Sequence, residues 1–163
     1  MALNEAFIQE LKQESASTEK VFERIPDEKL SWKPHEKSMS FGQLANHISQ
    51  LTSWIIAVIE TESMDFASSE QPKPAKTQAE LIENHKIYTE KALSALEKAS
   101  DEILLANWKL SNGEYVIFDM PRINVLRSIL MNHLIHHRGQ LTVYLRMNDI
   151  PVPGLYGPSA DEK

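Results

Sequence analysis

The chain has 163 residues, 42% of them hydrophobic and 25% charged, which fits one globular domain with a core of its own. Seventeen basic against twenty-three acidic residues leave a formal charge of −6, the wrong sign for a surface that grips a phosphate backbone, so no nucleic-acid partner is expected. There is no cysteine, which excludes disulfides, thiolate metal ligands and a cysteine nucleophile.

The N-terminal MALNEAFIQELKQE carries acids where a signal peptide needs an unbroken apolar stretch. The longest apolar run, Trp54 to Ile59, is far too short to cross a bilayer. These features predict a soluble cytoplasmic protein with no membrane partner. Leu3, Phe7, Leu11, Thr18, Phe22 and Ile25 recur at helical spacing, predicting a first helix that Pro26 closes. The connector PDEKLSWKPHEKSM holds one helical turn at Asp27–Leu30, with Trp32 tucked against the core. Ser40 and Gln43 form a capping box that opens a second helix, whose inward stripe runs Leu44, His47, Ile48, Leu51, Ile55, Val58 and Ile59 and ends near Glu62.

A polar linker follows (SMDFASSEQPKPAK), expected to be mobile. Thr77 and Glu80 form a second capping box, and Leu81, His85, Tyr88, Ala92, Ala95 and Leu96 give the stripe of a third helix. Asn112-Gly113 inside LSNGEYVIF signals a small β-hairpin before the last helix. Pro121 suits the first turn of that helix, whose stripe includes Leu126, Leu130, His133, Leu134, His137, Leu141, Tyr144 and Leu145. Asn148 caps it, Pro151 and Pro153 prevent its continuation, and the extended tail can fold Leu155 and Tyr156 back on the helices. Gly139, in mid-helix, predicts a close helix approach. Arg138 and Arg146 read as salt-bridging surface residues, and Arg122 as a residue with a pocket or interface role.

The histidines carry the chemistry. His133 and His137 lie one turn apart on one helical face, and His47 sits in the inward stripe of another helix. A buried imidazole needs partners for its ring nitrogens, and one shared metal ion answers all three. His136 falls at the stripe's edge, as a residue behind the ligands or at an interface. His85 and Tyr88 are candidates to line a pocket. Three neutral imidazoles without cysteine suit zinc, nickel, iron or cobalt, with zinc and nickel foremost, and three protein ligands leave a position open for water or substrate.

The run NHLIHHRGQLTVYLRMNDIPVPGLYGPSADE at 132–162, LANHISQL at 44–51, IPDEKLSWKPHEKSMSFGQL and the MPR before the last helix resemble the DinB family of bacterial proteins over nearly the whole chain. The resemblance implies one DinB/YfiT-like domain over 1–163, all-α, an up-up-down-down four-helix bundle. It also implies a metal triad at His47, His133 and His137, and a homodimer. The wider superfamily includes thiol S-transferases, metal-dependent hydrolases and a mycothiol-dependent maleylpyruvate isomerase. The isomerase pattern has a glutamate in its triad, and this chain departs from it with His133. The first functional expectation is therefore a metal-dependent enzyme that joins a low-molecular-weight thiol to a small molecule. A metal-dependent hydrolase and a non-catalytic metal- or ligand-binding stress protein are the alternatives.

Overall fold

The computed structural model describes residues 2–70 and 72–162; Met1, Gln71 of the expected linker and Lys163 of the tail lie outside them. In chain order the elements are α1 (Leu3–Phe22), a 3-10 turn (Asp27–Lys29), α2 (Phe41–Glu60), β1 (Ser63–Asp65), α3 (Gln78–Lys98), α4 (Asp101–Leu105), β2 (Asn107–Asn112) and β3 (Tyr115–Pro121). A final helical stretch then runs from α5 (Arg122–Asn124) through π-helical turns (Val125–Met131) into α6 (Asn132–Met147). The chain is thus mostly helical, with one small sheet. No helix among the described residues is long and apolar enough to cross a membrane.

The helix ends follow the chemistry of their unsatisfied backbone groups. Both halves of the Ser40–Gln43 capping box form. Thr77 caps α3 through the Glu80 amide, but the Glu80 carboxylate takes the Lys76 amide, one residue outside the expected box. Ala2 has no capping side chain, so the Leu3 amide at the start of α1 donates to Asp101 at the start of α4. At the C-terminus of α6, Asp149 adopts φ 57°, and the Ile150 and Asp149 amides return to the Leu145 and Arg146 carbonyls. That is a Schellman closure, with an aspartate in the left-handed position that glycine usually takes.

The core forms where these helices meet: α1 and α2 each pack on α3 and on α6. Phe22, Leu11, Phe41, Leu44, Ile48, Leu96 and Leu141 are fully buried there. Trp32 packs on Phe41 and edge-on to Tyr144, so the connector is tied to the core. Gly42 allows this close approach: its amide donates to the Leu30 carbonyl, and a Cβ there would stand 3.0 Å from that oxygen.

The sheet is larger than a hairpin, with order β1-β2-β3. The stretch expected as a free linker contributes β1, which pairs parallel to β2 from Ser63↔Lys109 to Asp65↔Ser111. Beyond the strand, Asp65 accepts from the Ala67 and Gly113 amides, and Asn46 of α2 clamps Ala75 through both amide groups. Three residues without alternation give no strand signal, because their partner strand lies far along the chain. The hairpin turn itself is centred on Gly113–Glu114, with Gly113 at φ 61°, one residue later than Asn-Gly predicts.

Two arginines are placed against expectation. Arg138 is buried in the core rather than on the surface: it pairs with Glu14 (2.5 Å), donates to the Glu14 carbonyl, and meets the Tyr156 hydroxyl, which in turn donates to Glu14. Arg122 is also buried and spends its guanidinium on the carbonyls of Val58, Thr61, Ala106 and Asn107, knitting the end of α2 to β2 and the final helical stretch. Arg146 does hold a surface ion pair, with Asp161 of the tail. Gly139 does not meet another helix: apart from its chain neighbours and the nearby backbone of α6, no atom of the described residues lies within 4 Å of where its Cβ would stand.

Removing one member of a buried pair leaves the other charged and unanswered, whereas an exposed pair contributes little. Arg138→Ala is expected to lower unfolding stability by about 3–5 kcal/mol. Arg146→Ala, at the half-exposed pair with Asp161, is expected to cost less than about 1 kcal/mol. Urea titrations of both variants check the contrast, and equal losses would refute it.

Candidate metal centre

Two helices bring the histidines together. His47 lies in the middle of α2, and His133 and His137 follow one another on α6, which packs directly against α2. All three are half-buried, and a ring nitrogen from each lies within 4.8 Å of the other two. Nε2 of His47 is 3.4 Å from Nε2 of His133, and that atom is 2.7 Å from Nε2 of His137. Two imidazoles on one tetrahedral ion, with bonds of about 2.1 Å, stand about 3.4 Å apart. The cluster therefore has the donors, and nearly the separation, that a single ion requires.

The face from which they emerge differs from the periodic stripe. The buried centre of α6 is Leu134, Arg138, Leu141 and Leu145, and the two histidines stand at its edge, turned toward α2. π-helical turns immediately precede this face of α6. Such turns wind the chain more loosely, and they recur beside functional groups. The last of them also gives the His133 ring a hydrogen-bonding partner in the Ile129 backbone.

Electrostatics keep the cluster ready for a cation. Burial, together with the neighbouring His137 and His133, lowers the His47 pKa to about 4. His133 is lowered as well, by burial first and by His137 second. Both rings are therefore neutral at physiological pH, with lone pairs available. Gln140, which sequence periodicity did not single out, fixes the third: its Oε1 lies 2.7 Å from Nδ1 of His137. An amide oxygen accepts, so this contact suits an Nδ1–H donor and orients the ring with Nε2 toward the cluster. The spacing Gln140 to His137, one turn on a helix, was the available signal.

His47 and His133 also form part of the wall of a cavity of about 640 Å³. Its other walls come from Leu51 and Trp54 of α2, Phe66 just after β1, the β2–β3 hairpin, and Ser128 and Ile129 of the π-helical turns. His136, exposed, lines the same cavity and packs edge-on against His137. His85 stands elsewhere. It is buried between α3 and α1, beside Ser15 and the Phe22 ring, and lines a separate hollow with Lys12 and Glu19. Tyr88, half-buried on α3, lies outside the walls of the cavity at the three histidines.

The DinB family model matches residues 1–163. Among proteins of Bacillus subtilis (strain 168), YjoA is 36% identical over 132 residues, covering 79% of this chain and 80% of its own. YrdA of the same organism is 25% identical over 164 residues, covering 96% and 89%. Two solved structures share the fold. A DinB-like protein from Bacillus cereus ATCC 10987 superposes with a TM-score of 0.71 at 24% identity, over 93% of this chain and 97% of its own. The DinB-like protein YjoA from Bacillus subtilis superposes with a TM-score of 0.70 at 26% identity, over 96% of each.

The His85 environment yields a pH prediction separate from the metal cluster. Burial lowers its pKa from 6.5 to about 4, and its Nδ1 has no partner among the described residues. The unfolded chain takes up that proton near pH 6.5 and the folded chain resists it, so the stability present above pH 6.5 falls as pH drops toward 4. His85→Gln, which cannot protonate, is expected to show a shallower loss over that window. Unfolding free energies measured from pH 7 to 4 check this, and parallel curves for the two proteins would refute it.

Proposed function

The chain belongs to the DinB family, and from that premise we propose that His47, His133 and His137 hold one divalent transition-metal ion, zinc or nickel, at the centre of an enzyme of the thiol S-transferase type. The observation that carries this reading is the convergence of three imidazoles, two of them (His47 and His133) in the wall of a cavity that no charged side chain of the described residues lines, in a chain without cysteine. The family's up-up-down-down four-helix bundle belongs to the same reading, supported by α1 and α2 each packing on α3 and α6.

A bound divalent ion supplies Lewis acidity, which lowers the pKa of a thiol from its ordinary value of about 8.5. The protein's own residues do the rest. His47 and His133 stay neutral through burial, and Gln140 orients the His137 ring with its Nε2 inward. The thiol, a low-molecular-weight one, arrives from solution. Its sulfur bonds to an electrophilic carbon of the second substrate, its proton passes to solvent, and the leaving group departs with the bonding pair. Hydrolysis would require a general base for water; among the described residues the cavity wall includes no carboxylate, and His136 is its one base outside the ligand set, so hydrolysis stands as the second reading. A homodimer in a cytoplasmic setting completes the proposal. The outward side of α6, with Val143 and Met147 exposed and Gly139 unobstructed, is a face a second copy can use.

Elemental analysis of purified protein is expected to find about one metal ion per chain. His47→Ala, His133→Ala and His137→Ala should each abolish tight binding, and Gln140→Ala should weaken it by about tenfold. Adduct formation between a small thiol and an alkylating or arylating agent should follow metal content across the series. Full metal occupancy in any single histidine variant removes that residue from the ligand set. Turnover that is indifferent to metal overturns the enzymatic reading.

A further inference from the structure

The cavity beside the three histidines has a chemical character that identifies what enters it. Its apolar walls are Trp54, Phe66, Leu110, Ile117, Phe118 and Ile129, and its polar groups are Ser128, Asn132 and histidines. Among the described residues no lysine, arginine, aspartate or glutamate lines it. A carboxylate or phosphate placed there would lose its water and gain no opposite charge, which is costly in an apolar site. The volume, about 640 Å³, lies within the range that holds a small organic molecule.

The sheet is built to make this surface. Pairing of β2 with β3 runs Leu110↔Phe118 and then Ser111↔Val116, so Ile117 is left without a partner. Neighbouring residues on a regular strand point to opposite faces, but a bulge re-aims one of them. Here both Ile117 and Phe118 face the cavity. Phe66, placed by the short β1, packs at 5.0 Å between ring centroids against Trp54 of α2. Aromatic side chains from α2, the β1 loop and β3 thus wall one space beside two of the candidate ligands.

We propose that this cavity is the acceptor subsite and takes the uncharged, aromatic part of a small electrophile, between Trp54, Phe66 and Phe118 and beside His47 and His133. This deepens the thiol-transfer reading and rests on it. A charged acceptor is excluded by the walls, and the thiol, whatever polar groups it carries, approaches from outside the cavity.

The test uses two fluorescent probes that share a ring system and differ in charge: neutral N-phenyl-1-naphthylamine and anionic 1-anilinonaphthalene-8-sulfonate. Both are titrated into the zinc-loaded full-length protein. The neutral probe should saturate a single site, with the sulfonate weaker by about tenfold or more. Ile117 is 41% exposed, so Ile117→Asp places a charge at the wall without emptying the core, and it should weaken the neutral probe by about tenfold or more. His137 lies outside the cavity lining, so His137→Ala should lower zinc content while the preference for the neutral probe over the sulfonate persists. Equal affinity for the two probes, or an unchanged affinity in folded Ile117→Asp, overturns the inference. Zinc retained in every histidine variant, with the probe pattern intact, defeats the metal reading and leaves the subsite standing.

Discussion

A guanidinium in the middle of a protein must be answered on several sides at once, and the answer given to Arg138 orders much of the molecule. Glu14 of α1 meets it with a carboxylate and a backbone carbonyl, and the tail brings the Tyr156 hydroxyl to the same pair. The pair is buried, so each member would be strongly unfavourable alone, and α1, α6 and the tail are bound to one arrangement. Arg138 directly follows His137. Fixing the Arg138 side of α6 against α1 therefore also fixes the rotation at which His133 and His137 face α2. The same ordering reaches the chain end, where Arg146 holds Asp161 and Asp161 takes the Val152 amide.

The second constraint is the sheet, which is small because its purpose is local. Three strands cannot make a second core, yet they close the space that two helices leave open beside the histidines. Arg122 joins this sheet to α2 by filling four backbone carbonyls at the junction, and Trp108 of β2 donates its indole N–H to Thr61 at the end of α2. With the hairpin so held, Leu110, Ile117 and Phe118 are kept against the cavity.

How much of this could be read from residues alone depended on whether the physics was local. The long helices, the Ser40 cap and the end of α6 were legible, because periodicity and capping act within a few residues. The convergence of His47, His133 and His137 was legible as inward spacing on two helices, and the family resemblance joined them. Arg138 was misread because charge usually marks a surface, although its spacing from Leu134, Leu141 and Leu145 is that of a buried stripe. β1 was missed because Ser63–Asp65 has no pattern of its own, and only β2, much later in the chain, makes it a strand. The role of the π-helical turns was also hidden, since an extra residue in a turn leaves composition unchanged while rotating everything after it.

The half-burial of the three histidines is itself a compromise with a chemical result. Full exposure would leave imidazoles that protonate near pH 6.5, in competition with a metal for the same lone pairs. Full burial would close the cluster off from the cavity that His47 and His133 line. At the depth found here, His47 is held to a pKa of about 4 and yet faces a cavity. Part of the desolvation that metal binding would otherwise require has already occurred on folding, and at neutral pH no proton need be displaced from His47. The result is three mutually close imidazoles, with Nε2 of His133 2.7 Å from Nε2 of His137 and 3.4 Å from Nε2 of His47. A cation is a group that three such donors could share, which is why the geometry supports a candidate metal centre more strongly than the spacing of the histidines does.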